Sequence, residues 1–102
     1  MSEETFAPVA PIAKFTDEKE VIERANASPF GLSAYAFTSN IDRMFRVAEK
    51  LEAGTIGIND GVPSTSNAPF GGVKHSGWGR ELGSEGLDAF METKHISIGV
   101  NA

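Results

Sequence analysis

The chain has no cysteine. That absence excludes disulfides, thiolate metal sites and a cysteine nucleophile among these residues. Long apolar runs are missing too. Nothing approaches the roughly 18 residues of a membrane span, and no segment has the make-up of a signal peptide. A cytoplasmic location is the default expectation. Basic residues are scarce: 9 Lys and Arg face 14 Asp and Glu, for a net charge of −5. The deficit is even, with eight acids and six bases over 1–51 (−2) and six acids and three bases over 52–102 (−3). With no basic patch, nucleic acid is not an expected partner. The two histidines, His75 and His95, show no ligand spacing, so no metal site is expected.

What is present is an ordinary globular composition, 40% hydrophobic and 23% charged over 102 residues. That is one small domain or a piece of a larger one. Val9 to Phe15 reads as a strand, with Pro11 favouring a sheet edge. Asp17 with Glu20 fits a capping box, and a helix to about Asn26 should bury Val21, Ile22 and Ala25. Ser28-Pro29-Phe30-Gly31 breaks it, and Leu32 to Thr38 reads as a second strand. Ser39-Asn40 can cap a helix whose Ile41, Met44, Phe45, Ala48 and Leu51 form one apolar stripe. Gly54 sits where a left-handed cap would end it. Thr55 to Asn59 is a third short strand, Ser84 can cap a last helix carrying Leu87, Phe90 and Met91, and His95 to Val100 alternates like a final strand.

The expected fold class is therefore α/β: a partial parallel βαβαβ sheet with flanking helices plus a C-terminal strand. Helices cover such a sheet thinly, and the last strand has no evident partner, so further sequence or another chain is expected to complete the fold. Functional loops in such sheets lie beyond the carboxyl ends of the strands. The stretch after Asn59 is in that position.

There the chain concentrates its unusual residues. Pro69-Phe70-Gly71-Gly72-Val73-Lys74-His75-Ser76-Gly77-Trp78-Gly79-Arg80-Glu81 holds four glycines, two large aromatics and four ionisable side chains. The glycines call for tight turns or close approach. A linker would not need Phe70 and Trp78, so an ordered loop is expected. It matches no phosphate motif: there is no Gly-Lys-Ser/Thr ending, and Leu82 stands where a dinucleotide fingerprint needs its third glycine. On motif alone a tight connecting loop is the plainer reading. Lys74 and His75 with the loop amides could form a small anion site. Arg80 and Glu81 fit a proton relay or, more commonly, an ion pair. Ser64, Thr65 and Ser66 have no adjacent base and read as hydrogen-bonding groups rather than nucleophiles.

Taken together, Glu3-Glu4-Thr5-Phe6-Ala7-Pro8-Val9, Ala53-Gly54-Thr55-Ile56-Gly57-Ile58-Asn59 and the glycine stretch resemble, in order and spacing, the C-terminal part of the aldehyde dehydrogenase superfamily. Gly61 to Ala68 and His95 to Gly99 look most like the succinate-semialdehyde dehydrogenases. The resemblance implies that residues 1–102 are the C-terminal part of the catalytic domain, with 94–102 in the oligomerisation region. It implies NAD or NADP as cofactor, an aldehyde as substrate and a homo-oligomeric subunit several times longer. By the same resemblance Glu4 binds the nicotinamide ribose, Phe6 lies beside the nicotinamide, Ser64 and Phe70 contact substrate, Glu81 relays a proton, and Arg80 pairs with Glu92 near the subunit interface. Ala7 departs from the family's usual glycine, which is tolerable if its φ is negative. The family's nucleophilic cysteine and its base lie upstream of the matched motifs. On its own, this chain is expected to have no dehydrogenase activity and to bind no cofactor tightly. The alternative reading is a non-catalytic module that self-associates through exposed sheet edges and apolar helix faces.

Overall fold

In the computed structural model, which describes residues 3–101, the first helix begins where Asp17 predicts it. The Asp17 carboxylate accepts the Glu20 N–H at 2.8 Å, and α1 runs Glu18–Asn26. Of its expected inward residues Ile22 is buried and Val21 half-buried, while Ala25 stays exposed. Asn40 starts the second helix in the same way, its Oδ1 accepting the Arg43 N–H at 2.9 Å, and α2 runs Ile41–Lys50. Each cap satisfies a donor that the helix start would otherwise leave without a partner.

Between the helices lie two short strands, β1 (Phe30–Gly31) and β2 (Ser33–Ala36). After α2 comes β3 (Thr55–Ile58), which pairs with β2 in parallel, Ser33 opposite Thr55 through Ala36 opposite Ile58. This is the expected β-α-β unit, and α2 packs against β3. The fourth strand, β4 (Val73–Lys74), lies inside the glycine stretch and pairs antiparallel with β1. The strands thus form two two-stranded sheets rather than one three-stranded parallel sheet.

Several expectations are corrected. Val9 to Phe15 forms no strand, and neither does His95 to Val100; both are exposed, because a ladder needs a neighbouring backbone and none lies alongside them. The last helix is a single 3-10 segment, Glu85–Phe90, which Ser84 does not cap through its side chain. The apolar stripe of α2 is only partly covered: Met44, Ala48 and Leu51 are half-buried, but Ile41 and Phe45 lie on open surface. Gly54 is not left-handed. It is needed for close approach, since a Cβ there would overlap the carbonyl of Gly71.

The packing is open. Ile22, 8% exposed, is the one buried hydrophobic residue among those described. The molecule presents 8552 Å² to solvent, against roughly 5,500 Å² for a compact protein of this size. Its radius of gyration is 19.2 Å, where a compact chain of about 100 residues has about 13 Å. No described helix is long and apolar enough to cross a membrane.

Candidate functional site

The glycine stretch closes as a hairpin. Phe70 and Glu81 exchange both backbone hydrogen bonds, each N–H to the other's carbonyl at 2.7 Å. Two kinds of glycine build what lies between them. Gly71 and Gly72 admit neighbouring atoms: a Cβ on Gly71 would stand 2.6 Å from the Gly79 carbonyl, and one on Gly72 would strike Ser76. Gly77 and Gly79 have φ of 117° and 80° with open space around them, so they serve the turn. Both roles expected from the sequence are present at different positions.

The hairpin is stitched to the turn after α1. His75 donates its N–H to Pro29 O at 3.0 Å, and the Gly31 N–H donates to the Ser76 Oγ at 2.9 Å. The His75 ring meets Phe30 edge-on with centroids 6.3 Å apart. Lys74 Nζ donates to Asn26 O at 2.8 Å and Ser28 O at 3.3 Å, and pairs with Glu52 at 2.6 Å. The anion-site reading of Lys74 is therefore corrected, because its ammonium is already occupied by these acceptors.

Arg80 turns inward on its own loop. Its Nη1 donates to Gly72 O at 2.8 Å and Gly79 O at 2.7 Å. The expected ion pair with Glu92 does not form among the described residues, and Glu92 sits in exposed chain without regular structure beyond the 3-10 segment. The Glu81 side chain is exposed, and its backbone closes the hairpin beside half-buried Phe70. Ser64 is exposed in the connection between β3 and the hairpin. Glu4 borders a cavity of about 580 Å³ shared with Asn26, Phe30, His75 and Ser76. Phe6 is 91% exposed and lies outside that cavity. The structure thus joins Phe70, Glu81 and Arg80 in one hairpin and sets Glu4 beside its His75–Ser76 end. It does not bring Ser64, Phe6 or Glu92 into the same contact set. Ala7 is not among the residues with positive φ, so its methyl is accommodated. No cluster of three metal-ligating side chains occurs among the described residues.

Sequence reasoning missed two asparagines that hold this frame. Asn26 Nδ2 donates to Lys50 O at 2.7 Å while its Oδ1 accepts the Glu52 N–H at 2.9 Å. Asn59, at φ 55°, does the same at the far end: Oδ1 accepts from Thr38 N–H and Nδ2 donates to Thr38 O, both at 2.8 Å. An asparagine straight after a strand was the available signal, since it tolerates the left-handed region. One charge cluster joins the helices. Glu18 accepts from Arg46 Nε and Nη2 at 2.9 Å each and from Arg43 Nε at 3.1 Å. The Arg46 bond, opposed by partial desolvation and helped by Arg43, lowers the Glu18 carboxyl from 4.5 to about 2.

A short parallel pair with a glycine hairpin makes a mixed α/β fold, and comparison with known proteins identifies its family. A family model described as the aldehyde dehydrogenase family matches residues 1–96. The succinate-semialdehyde dehydrogenase [NADP(+)] of Escherichia coli is 49% identical over 98 residues, 96% of this chain and 20% of that protein. A glutarate-semialdehyde dehydrogenase of Pseudomonas putida is also 49% identical over 96% of this chain and 20% of its own length. An NAD+ complex of an aldehyde dehydrogenase from Bacillus cereus superposes with a TM-score of 0.88 at 48% identity, covering 98% of this chain and 20% of that one. The chain belongs to the aldehyde dehydrogenase family. It spans about a fifth of the length of the relatives it matches.

Proposed function

We propose that this chain supplies the C-terminal part of the catalytic domain of an NAD(P)-dependent aldehyde dehydrogenase, acting on a semialdehyde such as succinate semialdehyde. The observation that supports this most directly is the Phe70–Glu81 hairpin, closed by two 2.7 Å bonds and held by Lys74, His75 and Ser76. In this reading Phe70 forms part of the substrate wall, and Ser64 donates a hydrogen bond to the distal carboxylate of the semialdehyde. Glu81 holds or passes a proton at its exposed carboxylate. Arg80 and Glu92 lie toward the subunit interface, and 94–102, of which Ala102 is outside the described residues, belongs to the oligomerisation region.

The residues present fit a nicotinamide cofactor. Glu4 has an exposed carboxylate at a cavity rim, suited to accepting from ribose hydroxyls, and the Phe6 ring is open for an aromatic neighbour. When bound, the cofactor supplies the acceptor for the hydride lost when an aldehyde and water become a carboxylic acid and a proton. The nucleophile comes from outside these residues, because they contain no cysteine.

The test replaces the matching fifth of the Escherichia coli relative with this chain and follows NAD(P)H formation from succinate semialdehyde. Turnover of the hybrid, with none from the 102-residue chain alone, is expected. An inactive, folded hybrid or an active isolated chain overturns the reading. A second reading, self-association without catalysis, is favoured by the excess of roughly 3,000 Å² of exposed surface. Sedimentation of the isolated chain tests it, and a clean monomer overturns it.

A further inference from the structure

Lys74 stands in a backbone conformation that suits it badly. Its φ is 56°, in the left-handed region where glycine meets no penalty and lysine does. The surrounding stretch uses glycine freely, at 71, 72, 77 and 79. A lysine here makes sense through its side chain, which is only one-quarter exposed and reaches three acceptors from three parts of the chain. Asn26 O is the last carbonyl of α1, Ser28 O belongs to the turn after it, and Glu52 lies between α2 and β3. An ammonium has three donors, and each has a partner. Carbonyls at a helix C-terminus lack intrahelical partners and favour a cation.

We propose that Lys74 is a positioning residue of the substrate wall: its ammonium ties β4 to the end of α1 and to Glu52, and so fixes where the hairpin presents Phe70 and Glu81. The inference rests on the aldehyde dehydrogenase reading for its functional half only. Without the ammonium, β4 keeps its two-residue pairing with β1 and the His75 and Ser76 bonds. All of these lead back to the same turn, Pro29–Gly31, and the remaining anchor is the contact of Gly71 with Gly54 at the hairpin's base, so without the ammonium the β4 end loses its tie to the end of α1 and to Glu52.

The test compares Lys74→Met, Lys74→Gly and Lys74→Arg. Amide exchange at Phe70, Glu81 and His75 is measured in the 102-residue chain and in the hybrid subunit. Loss of the charge-assisted bonds in Met and Gly is expected to speed exchange roughly tenfold. Arg should restore most of the protection. Gly is the discriminating variant: it relieves the left-handed backbone, so a lysine that served only as a turn residue would be replaced by Gly with equal or better protection. That result overturns the clamp. In the hybrid, Met and Gly should raise KM for the semialdehyde roughly tenfold while KM for the cofactor moves less than about twofold. Equal effects on both constants, or a loosened hairpin with an unchanged semialdehyde KM, overturn the positioning role. Faster exchange in a hybrid that turns over no aldehyde leaves the clamp standing and refutes the proposed reaction instead.

Discussion

Replacing Gly54 by alanine perturbs the fold where two backbones meet. The new methyl would overlap the Gly71 carbonyl oxygen, stand 2.7 Å from its carbon and 3.0 Å from the Gly72 Cα. All three atoms are backbone, so no side chain can rotate away, and either the link before β3 or the hairpin must move. Overpacking costs about 1–3 kcal/mol, and backbone neighbours on every contact put Gly54→Ala at the upper end. The strain falls on the β2–β3 pairing, because Gly54 N–H donates to Gly31 O at 3.0 Å and Thr55 N–H to Leu32 O at 3.1 Å. A loss of about 2–3 kcal/mol corresponds to amide exchange faster by about 30- to 150-fold at Thr55 and Asn59. Gly61→Ala is the control, since nothing lies within 4 Å of a Cβ there. Exchange in Gly54→Ala within about twofold of the parent would refute the close-approach argument.

Three further outcomes follow from the frame. Glu18 should titrate near 2 by carboxyl NMR. Because its folded value lies below the ordinary 4.5, its contribution is full above pH 4.5 and is lost as pH falls from there toward 2; Arg46→Ala should move the midpoint back up, and an unmoved midpoint refutes the assignment. Asn59→Ala loses the Thr38 clasp and strains φ, for about 2 kcal/mol in urea denaturation, whereas Asn59→Gly loses only the clasp and costs about half as much; Gly costing as much as Ala would refute the backbone strain, and no loss in either variant would refute the clasp. Asn40→Ala should cost about 1 kcal/mol of α2 helicity by circular dichroism, and no change would sink the capping role.

What the sequence made legible was local. Asp17 and Asn40 act on N–H groups three residues away, so their caps could be read directly. The β2-α2-β3 unit could be read because its apolar pattern changes period at marked breaks. The strands expected at Val9–Phe15, an apolar run, and His95–Val100, an alternating one, have suitable patterns, but a pattern specifies a face and not a partner. Lys74 was misread because its acceptors lie 48 and 46 positions away. That the glycine stretch is ordered could be read from its aromatics among glycines; its closure as a hairpin could not, because the Phe70–Glu81 bonds are made by backbone alone. The Arg80–Glu92 pair came from resemblance alone; in the structure two loop carbonyls take the guanidinium instead.

The Phe70–Glu81 bridge has a consequence for how such a loop can change. A residue pair that exchanges both backbone bonds fixes its Cα atoms about 5.5 Å apart. The ten residues between them therefore leave and re-enter the scaffold through one gate of constant width. Insertions or exchanges within 71–80 must satisfy that gate, the close approaches at Gly71 and Gly72, the β4 pairing and the anchors at Lys74, His75, Ser76 and Arg80. The tip, with Trp78 wholly exposed and open space around Gly77 and Gly79, is free to diverge. The hairpin is thus a cassette: its rim can be rewritten by grafting while its foundation stays in register.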